Sequence, residues 1–223
     1  MATAGPKSRR SSASDAVNGA AAGRRLRLTP VWAGRDISLE DFEKAEGHEG
    51  WRYELIEGRV EVHPTPELPH EMVVAWIHER LRAYRDDHPE VINFLCTASR
   101  VFIPGRREAT CPQPDLAAYR DFPFRWPREM RRWQNLNPIL VVEVLSEGYH
   151  HKDLVRNVRL YKEAPSLKEY WVLNPQDAGD HPTLRVYRKR GGRSWQKPID
   201  VPFAGTYTTP LLPEFTLIVD PNA

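Results

Sequence analysis

The run Pro138-Ile139-Leu140-Val141-Val142-Glu143-Val144-Leu145-Ser146 decides how this chain is read. From Ile139 to Leu145 the only polar side chain is Glu143. A strand presents alternate residues to opposite faces, so Ile139, Val141, Glu143 and Leu145 share one face and Leu140, Val142 and Val144 the other. A run that is apolar on both faces is a central strand covered on both sides. A lone carboxylate there costs several kcal/mol unless it is paired, protonated or bound to a cation. Two readings of Glu143 stay open: a salt bridge to a buried Arg or Lys, and a functional carboxylate.

The natural partner lies upstream. Pro114 holds the chain extended into Asp115-Leu116-Ala117-Ala118-Tyr119, a second strand with little else polar in it. A Pro-Asp pair alone is a common turn signal. Two carboxylates on adjacent strand ends form a hard oxygen site suited to Mg²⁺ or Mn²⁺. Such an ion lowers the pKa of a bound water and stabilises charge on a phosphate. Glu54 lies in Tyr53-Glu54-Leu55-Ile56-Glu57-Gly58-Arg59-Val60-Glu61-Val62, a hairpin with its turn at Glu57-Gly58. It shares a face with Ile56 and is either a third carboxylate of the site or an exposed hairpin acid. His70 opens a helix over about 70–86, whose stripe is His70, Val73, Ile77, Leu81 and Tyr84. A histidine there is a ligand or a packing and capping group.

The remaining pattern fills in the domain. Ser38, with Asp41 three residues on, caps a short helix. Strands are expected at roughly 91–95, 99–103 and 115–119, a loop at 121–137, a helix at 151–163 and a strand in Lys168–Pro175. Strand-like runs and turns alternate from Thr183 to Asp220. Asp153, Asn157 and Tyr161 recur every four residues along one face of the 151–163 helix, whose core side is Leu154, Val158 and Leu160. They are either its polar margin or a working face. Strands mixed with helices indicate one α/β-type domain with hairpins at its edge.

Composition bounds the function. The 223 residues fit a single domain with tails. Cys96 and Cys111 are the only cysteines, too few for a disulfide framework or a four-cysteine zinc site. No apolar run approaches the ~20 residues of a membrane span, and the start has no secretory apolar region, so no membrane partner and a cytoplasmic location are expected. Residues 1–27 are rich in Ala, Ser, Gly and Arg and hold six basic residues against Asp15 alone; the chain's net +2 therefore leaves the rest at −3. The expectation is a disordered basic tail over 1–27 and a single domain over 28–223. A strongly basic body, as in a tight non-specific DNA binder, is absent.

In order, YELIEGRVEV, His70 at a helix start, PDLAAY, VVEVLSEG, a helix containing Tyr161, and PSLKEYWVLNP resemble the Uma-two family of endonucleases. That family is a branch of the PD-(D/E)XK restriction-endonuclease-like superfamily. The resemblance covers about 50–176. It implies a mixed central sheet flanked by helices, with N-terminal and C-terminal hairpins, and a divalent metal held by Asp115 and Glu143. By the same resemblance Glu54 lines the site and His70 is the usual helix-start histidine. The superfamily often has Lys two residues after the Glu, where this chain has Leu145; the family usually moves it four residues before a Tyr, where this chain has Asn157. An amide carries no positive charge for a phosphorane-like transition state. Lys152 and Arg156 are the nearby cations.

Two basic-aromatic stretches are candidate nucleic-acid contacts: Arg125, Trp126, Arg128, Arg131, Arg132 and Trp133, and Arg185, Arg188, Lys189, Arg190 and Arg193 around Gly191-Gly192. Interleaved Arg and Trp suit phosphate contact and base stacking. A solvated loop anchored by tryptophans is the other reading. The function expected from the sequence is metal-dependent hydrolysis of a phosphodiester in DNA, with a homodimer as a candidate assembly. The competing reading is a catalytically weak module of the same fold that binds nucleic acid or a protein partner.

Overall fold

The computed structural model describes residues 25–146, 151–175, 179–190 and 194–223. In chain order the elements are β1 (Arg27–Leu28), α1 (Leu39–Lys44), β2 (Glu46–Gly47), β3 (Trp51–Ile56), β4 (Arg59–Pro64), α2 (Leu68–Asp87), β5 (Phe94–Cys96), β6 (Leu116–Tyr119) and β7 (Leu140–Val144). A π-helical turn over Lys152–Arg156 then leads into α3 (Asn157–Glu163). The chain ends with β8 (Glu169–Asn174), β9 (Thr183–Arg190), β10 (Ser194–Trp195), β11 (Ile199–Val201), β12 (Thr206–Thr209) and β13 (Leu212–Ile218).

The doubly apolar run becomes the interior strand β7 of a seven-stranded mixed sheet, ordered β10-β9-β8-β7-β6-β5 with β11 also on β9. β7 and β8 run parallel, joined by the π turn and α3, while the other pairs are antiparallel. Both faces are covered, as the sequence required. Leu140, Val142 and Val144 pack against Val73, Ile77 and Leu81 of α2 and Phe215 and Leu217 of β13. Val141 and Leu145 pack with Ala117, Tyr170 and Val172 against Leu160 and Tyr161 of α3. Ile139, just before the strand, joins the α2 side rather than the α3 side.

The two hairpins flank this sheet. β3 and β4 pair antiparallel around Glu57-Gly58, with φ of 51° and 75° at the two turn residues. Both values are positive, as a two-residue hairpin turn of matching twist demands, and Gly58 adopts its value without strain. Glu57 pays for a left-handed backbone by donating its N–H to Thr110 Oγ1 at 3.0 Å. β12 and β13 form the C-terminal hairpin. Ser38 caps α1 as expected, accepting the Asp41 N–H at 3.0 Å.

Some boundaries differ from the sequence expectation. Residues 99–103 do not form a regular strand: Val101 and Ile103 donate singly to Pro112 O and Thr110 O. Pro104 follows directly and Pro112 and Pro114 lie in the stretch opposite, and none offers an N–H to a ladder. The strand expected at 91–95 begins at Phe94 because Val91 and Ile92 donate back to His88 O behind α2. α2 starts at Leu68, with Pro69 in its first turn where a missing N–H costs nothing. Arg27, read as tail, pairs with Glu46 in a short parallel ladder. The rest of the tail, residues 1–24, lies outside the described residues, as do the Gly191-Gly192 turn and Arg193. Among the described residues no helix is long and apolar enough to cross a membrane.

Candidate active site

Asp115 immediately precedes β6, and Glu143 is the fourth residue of β7. The antiparallel register pairs Leu116 with Val142. One more step sets Asp115 opposite Glu143 on the same face. Both are buried, at 6% and 1% exposure. Asp115 Oδ2 accepts from the Val144 N–H at 2.8 Å and lies 3.1 Å from His70 Nε2; Oδ1 accepts from Arg52 Nη1 at 2.7 Å. His70 is thus a buried partner of Asp115, placed by the first turn of α2. Glu143 Oε1 accepts from Asn157 Nδ2 at 2.9 Å and from the Tyr161 hydroxyl at 3.0 Å. No donor among the described residues bonds to Oε2. Asn157 also donates to Asp153 Oδ1 at 3.0 Å, so the periodic trio is a buried hydrogen-bonded row in which Asn157 and Tyr161 orient Glu143.

Of the two nearby cations, Lys152 is the one that lines the cleft. At 3.6 residues per turn, Lys152 and Asn157 would stand about 140° apart. The turn between them is instead π-helical, closed by the Asn157 N–H on Lys152 O. An i→i+5 turn places the two nearly in line, and such bulges recur at functional sites. The Lys152 ammonium lies 3.6 Å from Asp153 Oδ1 and 3.9 Å from Glu54 Oε1, and is mostly buried. Arg156 is committed elsewhere: its Nη2 reaches Glu54 Oε2 at 2.5 Å and its Nε donates to Asn157 Oδ1. Glu54 is buried, not an exposed hairpin acid; its Oε1 also accepts the Gln113 N–H at 3.0 Å. It fastens the π turn to the hairpin.

The charges oppose one another strongly. Burial pushes the Glu143 carboxyl well above the ordinary range; Asp153, Asp115 and Glu54 push the same way, and Lys152 opposes. Burial likewise lifts Asp153 to about 6, against the pull of Lys152. Asp115 resists its burial through His70, Lys152 and the Val144 amide, and falls to about 2. Glu54 is held well below the usual range because Lys152, His63 and Arg156 outweigh its desolvation. Burial disfavours the Lys152 ammonium, but four carboxylates, Glu54 foremost, keep it charged.

Arg52, His63, His70, Asp115, Lys152 and Asp153 line a cleft of about 30 Å³; Glu143 is not in its lining, but its neighbour Val144 is. That volume admits a water or two, or one small cation, and a nucleic-acid backbone must approach from outside. Among the described residues no cluster of three or more His, Cys, Asp or Glu is arranged to hold a metal. Asp115 and Glu143, two buried acids on one face, still suit a hard divalent ion, whose charge would oppose the upward push of burial on Glu143. Mg²⁺ is commonly held by one or two carboxylates, with waters and substrate phosphate completing its shell.

The arginine-rich loop does not border this cleft. Arg125, Arg128, Arg131 and Arg132 lie between the end of β6 and the start of β7, so the loop leaves the opposite end of that strand pair, roughly 13 Å along the sheet. Arg131 is spent on the carbonyls of Trp126 and Phe124. In the second basic stretch, Arg185 pairs with Asp200 and Arg188 with Glu169. Sequence reasoning missed Arg52, which is simply one more arginine of a hairpin until its strand is docked over Asp115. It also left Asp153 outside the site, although its spacing from Asn157 carried the signal.

A family model described as "Uma2: Putative restriction endonuclease" matches residues 39–220. The chain belongs to the Uma2 family. The fold agrees with a solved structure from Anabaena variabilis, described as a putative nuclease belonging to DUF820. That structure aligns with a TM-score of 0.60 at 18% identity, over 82% of this chain and 95% of the other. At that identity the likeness is one of fold. Comparison with curated proteins found no match. Uma2 membership makes this chain a nuclease-type hydrolase of the restriction-endonuclease kind, a group that generally uses divalent metals.

Proposed function

We propose that this Uma2 protein is a metal-dependent endonuclease that hydrolyses phosphodiester bonds in DNA, with Mg²⁺ or Mn²⁺ held by Asp115 and Glu143. The observation that carries the reading is the antiparallel pair that sets the two carboxylates side by side, with Lys152 in the same cleft. A bound divalent ion supplies Lewis-acid stabilisation of phosphate charge and a water of lowered pKa. Asn157 and Tyr161 fix Glu143 through Oε1 and leave Oε2 for a cation. His70 and the Val144 amide do the same for Asp115 through Oδ2. Lys152, steered by Glu54 and Asp153, is placed to face charge developing on a phosphate in a water-poor site.

The binding-module reading drew on Asn157 standing where the family keeps its lysine. Lys152 in the cleft supports the catalytic reading instead. The test is calorimetric titration of Mn²⁺ into wild type and Glu143→Ala, with nicking of supercoiled plasmid followed in parallel. Wild type should bind the ion and nick, and the variant should do neither. Metal binding without nicking would favour the binding module; equal affinity in both proteins would remove Glu143 from the site.

A further inference from the structure

Arg52 is the one cation of the cleft that is well exposed, at 41% of its side chain, and it sits on the atom a metal needs. Asp115 Oδ2 is already taken by the Val144 N–H and His70, which leaves Oδ1 as the ligating oxygen. Arg52 Nη1 occupies Oδ1 at 2.7 Å. A guanidinium and a divalent ion cannot share one oxygen at bonding distance without severe like-charge repulsion. Arg52 also has a second anchor: Nη2 donates to Glu71 Oε1 at 3.2 Å, and Glu71 is half-exposed on α2, next to His70 of the cleft lining. The guanidinium therefore has somewhere to go.

We propose that Arg52 is a placeholder for the metal on Asp115 Oδ1 and becomes a phosphate ligand once the ion displaces it. The proposal rests on the metal-dependent reading above. When the ion enters, Arg52 leaves Oδ1 while Glu71 keeps it beside the cleft, where its planar fork matches two oxygens of a phosphodiester. Before metal arrives, the same contact keeps the Asp115 carboxylate paired.

The two roles have opposite signatures under one substitution. Arg52→Ala removes the competitor, so Mn²⁺ should bind up to about fivefold tighter by calorimetry, the upper range of a half-exposed ion pair. It also removes a phosphate contact. Affinity for a short duplex in Ca²⁺ should fall, and the slope of log affinity against log salt should shrink by about one. A purely structural role would weaken both. Arg52→Lys, which keeps the charge but loses the fork, should leave Mn²⁺ affinity near wild type and still weaken the duplex. Unchanged or weaker Mn²⁺ binding by Arg52→Ala overturns the placeholder; unchanged duplex affinity and salt slope overturn the phosphate role. Glu143→Ala separates this failure from that of the underlying reading. If Glu143→Ala binds Mn²⁺ like wild type, the metal site itself is wrong; if it loses the ion while Arg52→Ala gains nothing, only the role of Arg52 fails.

Discussion

Replacing Lys152 with Met keeps most of the length and the unbranched shape of the side chain and deletes its charge. The ammonium lies 3.6 Å and 3.9 Å from two buried carboxylates. At an effective dielectric near 20, each such contact is worth roughly 4 kcal/mol of Coulomb attraction before desolvation is subtracted. That is enough to hold a flexible side chain in one place. A fixed donor aimed at developing phosphate charge contributes ~3–4 kcal/mol, so Lys152→Met should slow plasmid nicking by about 10²–10³. Deleting one partner of a buried pair also costs stability, typically ~3–5 kcal/mol, although protonation of Asp153 relieves part of it. The melting temperature must therefore be read beside the rate. Asn157→Lys in the Lys152→Met background should restore at least about tenfold of the lost rate, because the π turn sets both positions on one side of the helix. In the wild-type background it should add nothing, since Asn157 already serves Glu143 and Asp153. A folded Lys152→Met protein that nicks at the wild-type rate would refute the reasoning.

Asp153 titrates at about 6 in the folded protein against an ordinary 3.8, so the native state binds the extra proton and wild type loses stability as pH rises between those values. Asp153→Asn lacks this penalty, and denaturant melts should show it gaining on the order of 2–3 kcal/mol on wild type from pH 4 to pH 7. Asp115 has the opposite sign: its pairing stabilises the fold above about 4 and is lost as pH falls towards about 2, a loss that Asp115→Asn should not show in an acid titration of stability. Glu169 is buried and accepts from Trp171, Arg188, Tyr207 and Thr209; Glu169→Ala should cost about 3–5 kcal/mol by chemical denaturation and loosen the β12–β13 hairpin in hydrogen exchange. Deleting residues 1–24, which lack apolar anchors, should leave the melting temperature within about 2 °C of wild type.

The sequence by itself determined the central strand and the carboxylate that breaks its apolar pattern. Period-two burial is a local property, and nothing outside Ile139–Leu145 was needed to see that Glu143 is out of place in a core. Local chemistry also placed the cap at Ser38, the turn at Glu57-Gly58 and the helix beginning near His70. What the sequence left open shares one cause. Residues 99–103 are apolar enough for a strand but meet prolines rather than a ladder of donors. Composition gives the arginines of the 121–137 loop no direction; only the strand pairing puts that loop at the far end of β6 and β7 from the cleft. Lys152 and Arg156 were both candidate cations by sequence, and only the wider π turn decides which of them lines the cleft. Arg52 has no pattern at all until β3 docks over Asp115. Which residues are buried is written along the chain, but which buried charges meet depends on contacts between segments far apart in it, and those are fixed only when the sheet, the hairpin and the π turn close around one cleft.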